Sequence, residues 1–131
     1  MTERTNIPAG SKWEDIIGYS RAVRIGNVIE VSGTTTAVDA DGNTVGLNDP
    51  YEQTRQTLLK IEKALHAAGA SMSDVVRTRI FAVDISRWEE IGKAHGEVFK
   101  DIKPVTTMVE VKALIGPELL VEIEATAILS A

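Results

Sequence analysis

The fold class is decided by residues 120–129, LVEIEATAIL, close to the C-terminus. Apolar and polar side chains alternate along this stretch, which is the period of a β-strand with one buried face. The apolar set is expected to face a layer of helices and the polar set to face away from it. The first set is Val121, Ile123, Ala125 and Ala127, and the second is Glu122, Glu124 and Thr126. Leu120 and Ile128 join the polar face, and this partly apolar open face predicts that the chain oligomerises.

Four more strands are predicted upstream of this one. Residues 21–25 and 28–32 flank Gly26-Asn27 and are typical of a hairpin. Residues 75–83 and 106–111 are further apolar, β-branched runs. Residues 1–20 are punctuated by Gly, Ser and Pro and are expected to be irregular.

The first helix is the clearest single element. Asp49 is expected to cap its N-terminus, Pro50 suits the first helical position, and Gly69 suits the C-terminal stop. An apolar stripe recurs at three and four residues. It consists of Leu58, Ile61, Leu65 and Ala68.

The second helix is predicted to start at Ser86, with Glu89 three residues later completing a capping box. Its stripe consists of Trp88, Ile91, His95 and Val98. The order is β-β-α-β-α-β-β. Two helices cannot cover both faces of such a sheet, so the sequence predicts a two-layer α+β domain with both helices on one face.

Composition limits the class of protein. The 131 residues are 44% hydrophobic and 25% charged, which suits one globular domain spanning 1–131. No stretch approaches the roughly 20 apolar residues of a membrane helix, and the N-terminus lacks the apolar core of a secretory signal. There is no cysteine, which excludes disulfides and thiolate metal sites. We therefore expect a cytoplasmic protein with no membrane partner.

Charge and motif content exclude further function classes. The net charge is −5 and basic residues are scattered, so no nucleic-acid partner is expected. His66 and His95 are far apart in sequence, no ligand-spaced carboxylate cluster is present, and no glycine-rich phosphate loop is found. We expect neither a metal nor a cofactor.

A set of short segments runs in one order and spacing from Gly18 to Ile128. The segments are Gly18-Tyr19, Ile25-Gly26-Asn27-Val28-Ile29, Val31-Ser32-Gly33, Gln53-Thr54-Arg55-Gln56, Ala68-Gly69-Ala70, Asp74-Val75-Val76-Arg77-Thr78, Phe81, Val83-Asp84, Phe99, Pro104, Val109-Glu110-Val111 and Glu122-Ile123-Glu124-Ala125. Each is a weak signal alone, but together they are specific. By these segments the chain resembles the RidA/YjgF family of imine and enamine deaminases, some of which are described as L-PSP endoribonucleases.

The resemblance implies a chorismate-mutase-like fold that assembles as a homotrimer, with the sheets closing a central barrel and ligand clefts between subunits. It implies a cofactor-free deaminase, a hydrolase that converts 2-imino acids into 2-keto acids and ammonia. The family arginine that grips the substrate carboxylate falls at Thr106 here. Since threonine offers one hydroxyl and no charge, a ligand other than a standard 2-imino acid is expected.

The resemblance also implies the residues of the cleft. Glu122 matches the glutamate that positions or activates water, and it is the catalytic candidate. The substrate-binding candidates are Tyr19, Ser32, Gly33, Thr106, Thr107 and Met108. A family cysteine falls at Met108 and a family asparagine at Gly92. A compensating arginine could reach the cleft from a neighbouring subunit, as its Arg21, Arg24 or Arg79.

Alternative interpretations stay open for several candidates. Glu122 would equally suit an interface ion pair, Tyr19 packing at a subunit boundary, and Thr106 a strand position without a role. His95 could be an acid–base group, although a buried histidine with a satisfied hydrogen bond is favoured. For the whole protein, a non-catalytic trimer that binds a small metabolite is the alternative to the hydrolase, and a ribonuclease ranks last.

Overall fold

The computed structural model describes residues 3–130 and contains one six-stranded sheet in the order β1-β2-β3-β6-β4-β5. The strands are β1 (Arg4–Ile7), β2 (Ala22–Ile25), β3 (Val28–Thr34), β4 (Val75–Ala82), β5 (Val105–Glu110) and β6 (Val121–Ile128). The helices are α1 (Pro50–Ala67) and α2 (Trp88–Phe99), and short helical turns lie at Glu14–Gly18, Met72–Asp74 and Ile85–Arg87. Only the β4–β5 pair is parallel. The two-layer α+β fold predicted from the sequence is confirmed.

The N-terminal strand β1 corrects the expectation that residues 1–20 are irregular. It pairs antiparallel with β2, from Arg4 opposite Ile25 to Ile7 opposite Ala22. Its first three residues are exposed and Ile7 is its single apolar side chain, so the segment has no hydrophobic period that would predict a strand. Backbone pairing at the sheet edge, rather than burial, holds it in place. The remaining elements follow in the predicted order.

The core lies between the sheet and the two helices, as the alternation in β6 predicts. Val121, Ile123, Ala125 and Ala127 are buried, while the residues between them are partly exposed. The predicted stripe of α1 is buried against them. This packing fixes the register of β6, because a slip of one residue would bring its carboxylates into the core. Glu122 is thereby held on the open face of the sheet.

The two helix starts differ in how well they were predicted. The Asp49 side chain accepts a hydrogen bond from the Glu52 backbone N–H, and Pro50 follows, as expected. The Ser86–Glu89 capping box is wrong: Asp84 caps a short turn at Ile85–Arg87 instead, by accepting from the Ser86 N–H. The helix α2 then starts at Trp88.

Trp88 is also not part of the buried stripe of α2, because it is 54% exposed. The first turn of α2 therefore projects beyond the core of the protomer. Ile91, Ala94 and Phe99 supply the buried side chains of this helix.

Gln53 fixes the chain that leads into β6. Its side chain is fully buried, and its amide nitrogen donates to the backbone oxygens of Gly46, at 3.0 Å, and Glu118, at 2.9 Å. Its amide oxygen accepts from the Leu120 N–H at 2.9 Å. A single amide thus joins two loops to the start of β6, immediately before Glu122.

Within residues 3–130, no helix has the length and hydropathy needed to cross a membrane. The same part of the chain contains no group of three or more potential metal-ligating side chains.

Candidate functional site

A β-bulge in β3 forms the wall against which Glu122 lies. Opposite β6, Val31 pairs with Ala125 and Thr34 pairs with Ile123, so β3 carries one extra residue at Ser32-Gly33. A Cβ atom added to Gly33 would lie only 2.6 Å from Oε2 of Glu122 and 2.9 Å from its Cδ. The absence of a side chain at Gly33 is therefore what gives the carboxylate its place.

The carboxylate of Glu122 is partly buried and forms no ion pair within the described part of the chain. Burial raises its pKa above the ordinary value, and the charge of Glu124 on the same face adds to this effect. The positive charge of Arg21 opposes this increase in the pKa. A carboxylate with a raised pKa is a stronger base than an ordinary glutamate, which suits the acceptance of a proton from water.

Arg21 is fixed to the same wall from its other side. Its Nη1 donates to Ser32 Oγ at 3.2 Å, to the Gly33 backbone oxygen at 3.0 Å and to Thr34 Oγ1 at 3.1 Å. The other two arginines considered from the sequence are used elsewhere. Arg24 donates to the backbone oxygens of Gly26 and Ala68, and Arg79 pairs with Glu124 at 3.6 Å.

Thr106 ends a chain of side chains that reaches into the helix layer. Thr106 and Thr78 are paired in register on β5 and β4, and their hydroxyl oxygens lie 2.8 Å apart. The Thr78 oxygen lies 2.9 Å from Nε2 of His95 on α2. Thr78 is fully buried, whereas Thr106 is exposed at the strand edge. An uncharged polar chain thus stands where the family resemblance places a cation.

His95 is partly buried, and burial lowers its pKa below the ordinary histidine value. Its ring packs on Phe99 with ring centres 4.7 Å apart. A neutral imidazole is therefore the form present near neutral pH. This environment agrees with the favoured interpretation of a histidine whose hydrogen bond is satisfied.

The other substrate-binding candidates are distributed around the edge of β5 and the entry to β2. Met108 shares the face of Thr106 and packs against the core, while Thr107 points to the open face. Tyr19 is partly exposed directly after the turn Glu14–Gly18, and its N–H donates to the Glu14 backbone oxygen. Ser32 also lines a concavity of about 350 Å³ on the open face, which includes neither Glu122 nor Thr106 among its lining residues.

One protomer does not bring Thr106 and Glu122 together. Thr106 lies on the helix face of the sheet, in register with buried Thr78, whereas Glu122 lies on the open face. Strand β4 also separates their strands. A cleft that uses both residues must therefore take them from two copies of the chain.

Two features of the site were not predicted from the sequence. The sequence indicates Thr78 as a strand residue without a role, and it gives no sign that Arg21 is anchored on the bulge. Both depend on contacts between residues that are distant in sequence, for which one sequence offers no signal. The run of polar residues Ser32-Gly33-Thr34 at the end of an apolar strand is the single local indication of a bulge.

Comparisons with known proteins agree with this architecture. The family model described as Endoribonuclease L-PSP matches residues 10–129. The crystal structure of Rv2704 from Mycobacterium tuberculosis, described as a member of the YjgF/YER057c/UK114 family, superposes with a TM-score of 0.87 at 53% identity, covering 97% of this chain and 100% of that one. The RutC family protein PYRAB12510 from Pyrococcus abyssi is 33% identical over 97% of this chain and 93% of its own.

A further solved structure is YyfA from Yersinia pestis, described as a protein of unknown function of the conserved Rid family. It superposes with a TM-score of 0.82 at 30% identity and covers 97% of this chain and 100% of that one. Sequence segments, sheet topology and these likenesses agree over nearly the full chain. This chain is therefore a member of the RidA/YjgF family, the family of L-PSP endoribonuclease-like proteins.

Proposed function

We propose that this chain is a subunit of a homotrimeric, cofactor-free hydrolase that cleaves the C=N or enamine bond of a small metabolite in a cleft between subunits. The observation that carries the proposal is Glu122, a partly buried carboxylate without an ion-pair partner in residues 3–130, seated against Gly33. An interface ion pair, the alternative role of Glu122, would require a cation from a neighbouring copy.

The open sheet face supports the assembly. In addition to Glu122, Glu124 and Thr126, it carries exposed apolar side chains on β3, β5 and β6. These are Val28, Val105, Val109 and Ile128, each more than 40% exposed. Closing three such faces around an axis would remove this apolar surface from water, and one repeated contact between copies closes a ring.

In the proposed reaction, the carboxylate of Glu122 accepts a proton from a water molecule as the water oxygen bonds to the imine carbon. The C=N π electrons move to nitrogen, which takes up the proton that Glu122 accepted, so the carboxylate is restored. In the resulting aminoalcohol the hydroxyl proton passes to nitrogen as the C–N bond breaks, which releases ammonia and leaves a carbonyl group. The raised pKa of Glu122 favours the first step, because a general base works best when its pKa approaches the working pH.

The substrate proposed is not a standard 2-imino acid. Thr106 provides a hydroxyl within a neutral chain of hydrogen bonds, and such a group suits an uncharged polar substituent better than a carboxylate. Tyr19, Ser32, Thr107 and Met108 complete the proposed wall of the cleft, and His95 supports Thr106 through Thr78.

The test is a trapping assay. An amino-acid or amine oxidase generates imines with and without a carboxylate, and semicarbazide captures whatever the protein has not hydrolysed. We expect the wild-type protein to reduce trapping of imines that lack a carboxylate more than that of 2-imino acids. Unaltered trapping of every imine and enamine would overturn the hydrolase.

A non-catalytic trimer that binds a metabolite is the second candidate, and the same Thr106 favours it. Such a protein would show saturable binding of the imine's stable carbonyl analogue without product formation. Ribonuclease activity has the least support, because the chain carries a net charge of −5.

Gly33→Ala offers a test that leaves the chemical groups in place. The new methyl would meet the Glu122 carboxylate, so the flexible side chain is expected to turn away while the backbone stays. We expect hydrolysis to fall by about tenfold or more, because a displacement of about 1 Å is enough to cost a factor of that order or larger. Steady-state kinetics and the melting temperature are the measurements.

The matched control is Gly96→Ala on α2, where an added Cβ would meet nothing within 4 Å. It is expected to leave hydrolysis unchanged. Full activity of Gly33→Ala in a protein with a normal melting temperature would show that the observed seat of Glu122 is not the catalytic one.

A further inference from the structure

A second cavity, of about 390 Å³, lies on the helix side of the sheet, between the end of β1 and α1. We call it the basic pocket. Its charged lining residues are Arg21, Lys60 and Lys63, and its lining includes no carboxylate. Its apolar wall includes Ile7, Pro8 and Ala64. Neither Glu122 nor Thr106 lines it, so it is separate from the proposed hydrolytic cleft.

Two cations of the basic pocket, Arg21 and Lys60, are partly buried and have no ion-pair partner within residues 3–130. Burial lowers the pKa of Lys60, and the positive charge of Arg21 lowers it further. Arg21 and Lys60 line one cavity and repel each other, so an anion bound between them would relieve that repulsion.

The donors of the pocket are also only partly used. Arg21 makes its hydrogen bonds through Nη1, and within residues 3–130 its Nε and Nη2 make none. The Lys60 ammonium has a single long contact, 3.4 Å to the Thr36 backbone oxygen. Because the bulge fixes the guanidinium through Nη1, the remaining N–H donors of Arg21 can bind an anion at little further cost in side-chain entropy.

Two carboxylates act on Arg21 from a distance. The hydrogen bond from the Ser11 backbone lowers the pKa of Glu14, in the turn before β2, and the charge of Arg21 adds a smaller effect in the same direction. The charge of Arg21 also opposes the raised pKa of Glu122. Neither lies within 4 Å of the guanidinium, and Glu14 already accepts the Ser11 N–H at 3.0 Å. The pocket is therefore left to an anion from outside the protomer.

The geometry points to the basic pocket as a binding site for a small organic anion, a carboxylate with a short hydrocarbon body. The carboxylate would bridge Arg21 and Lys60, and the hydrocarbon would lie against Ile7 and Ala64. Binding at this site does not depend on the hydrolytic activity. A negative binding result would therefore leave the proposed function unaffected, and a negative hydrolysis result would leave the binding proposal unaffected.

The test uses isovalerate as the probe, isovaleramide as its neutral counterpart, and inorganic phosphate as an anion without an apolar body. Calorimetry gives the affinities for the intact protein, and amide chemical shifts locate the contacts. We expect saturable isovalerate binding with shifts in Ile7 and Ala64, and much weaker binding of the other two probes. Lys60→Gln and Arg21→Gln should each weaken isovalerate by about tenfold or more.

Lys112→Gln, an equal charge change at an exposed residue outside the lining of the pocket, is the matched control and should bind like the wild type. Glu14→Gln should bind isovalerate at least as tightly as the wild type, because it removes a carboxylate whose charge interacts with Arg21. Absence of isovalerate binding, affinity unchanged by Lys60→Gln, or equal affinity for isovaleramide would each overturn the proposal. Since Lys60 makes a single weak contact, its variant remains informative even if Arg21→Gln fails to fold.

Discussion

Glu122→Gln is expected to lower kcat for imine hydrolysis by about 10²- to 10⁴-fold, the range that a positioned general base contributes. The amide has the shape of the carboxylate and fits the same space against Gly33, but it cannot accept a proton from water. Substrate affinity should change little. Steady-state kinetics with the semicarbazide trap give both values, and an unchanged kcat would eliminate Glu122 as the base.

The pH dependence of hydrolysis is an independent test of Glu122 as the general base. The ionised form of Glu122 is the active one, and burial together with Glu124 raises its pKa above the ordinary value. Activity should therefore decline on acidification at a higher pH than an unperturbed glutamate would give. Since the folded state holds this proton more tightly than the unfolded state, protonation of Glu122 adds to the free energy of unfolding as pH falls through its folded pKa. Loss of activity on that limb is thus not explained by unfolding at this residue.

Glu124→Gln is the control for charge on the same strand. Glu124 is partly exposed and pairs with Arg79 at 3.6 Å, so the substitution removes an equal charge without touching the wall at Gly33. It should retain most of the activity and move the acidic limb to lower pH, because Glu124 contributes to the raised pKa of Glu122. An acidic limb that persists in Glu122→Gln would assign the titration to another group.

Thr106→Arg is expected to raise kcat/KM for 2-imino acids by about 10- to 10³-fold, as a charge-assisted, two-pronged contact to a carboxylate would. Thr106 is exposed, and Thr78 keeps its hydrogen bond to His95 when the partner hydroxyl is lost. The fold should therefore tolerate the change. The trapping assay with paired imines, one with and one without a carboxylate, measures the gain.

Thr106→Gln is the matched variant, since it lengthens the side chain without adding charge. It should give no gain on 2-imino acids, and neither variant should improve hydrolysis of imines that lack a carboxylate. If Thr106→Arg binds no better and turns over no faster than Thr106→Gln, the edge of β5 does not hold the carboxylate of the substrate.

The alternation in β6 and the stripe of α1 were enough to predict the two-layer fold, because each pattern has a period that only one element satisfies. Strand β1 was missed because its residues are held by pairing with β2, and pairing leaves no pattern in a short exposed strand. The start of α2 was misplaced because Ser86 and Asp84 both suit a cap, and the three-dimensional turn selects Asp84.

The site was predictable only in part. The family segments located Glu122 and the bulge residues Ser32 and Gly33, although their roles remain predictions. They could not reveal that Arg21 is anchored on that bulge, or that Thr106 reaches His95 through Thr78. Those contacts join residues that are 11 to 28 positions apart in sequence. The sheet register and the packing of α2 on the sheet bring them together.

The single hydrogen on the Thr78 hydroxyl makes the chain of His95, Thr78 and Thr106 directional. If that hydrogen points to Thr106, the histidine must carry its proton on Nε2, and the Thr106 hydroxyl donates either to the Pro104 backbone oxygen, 3.2 Å away, or to a ligand that takes its place. If it points to His95, the proton must sit on Nδ1, and Thr106 accepts from outside. A ligand that accepts a hydrogen bond from Thr106 and a ligand that donates one to it therefore select opposite tautomers of His95. The tautomer of His95 thus depends on whether the ligand accepts or donates at the edge of β5.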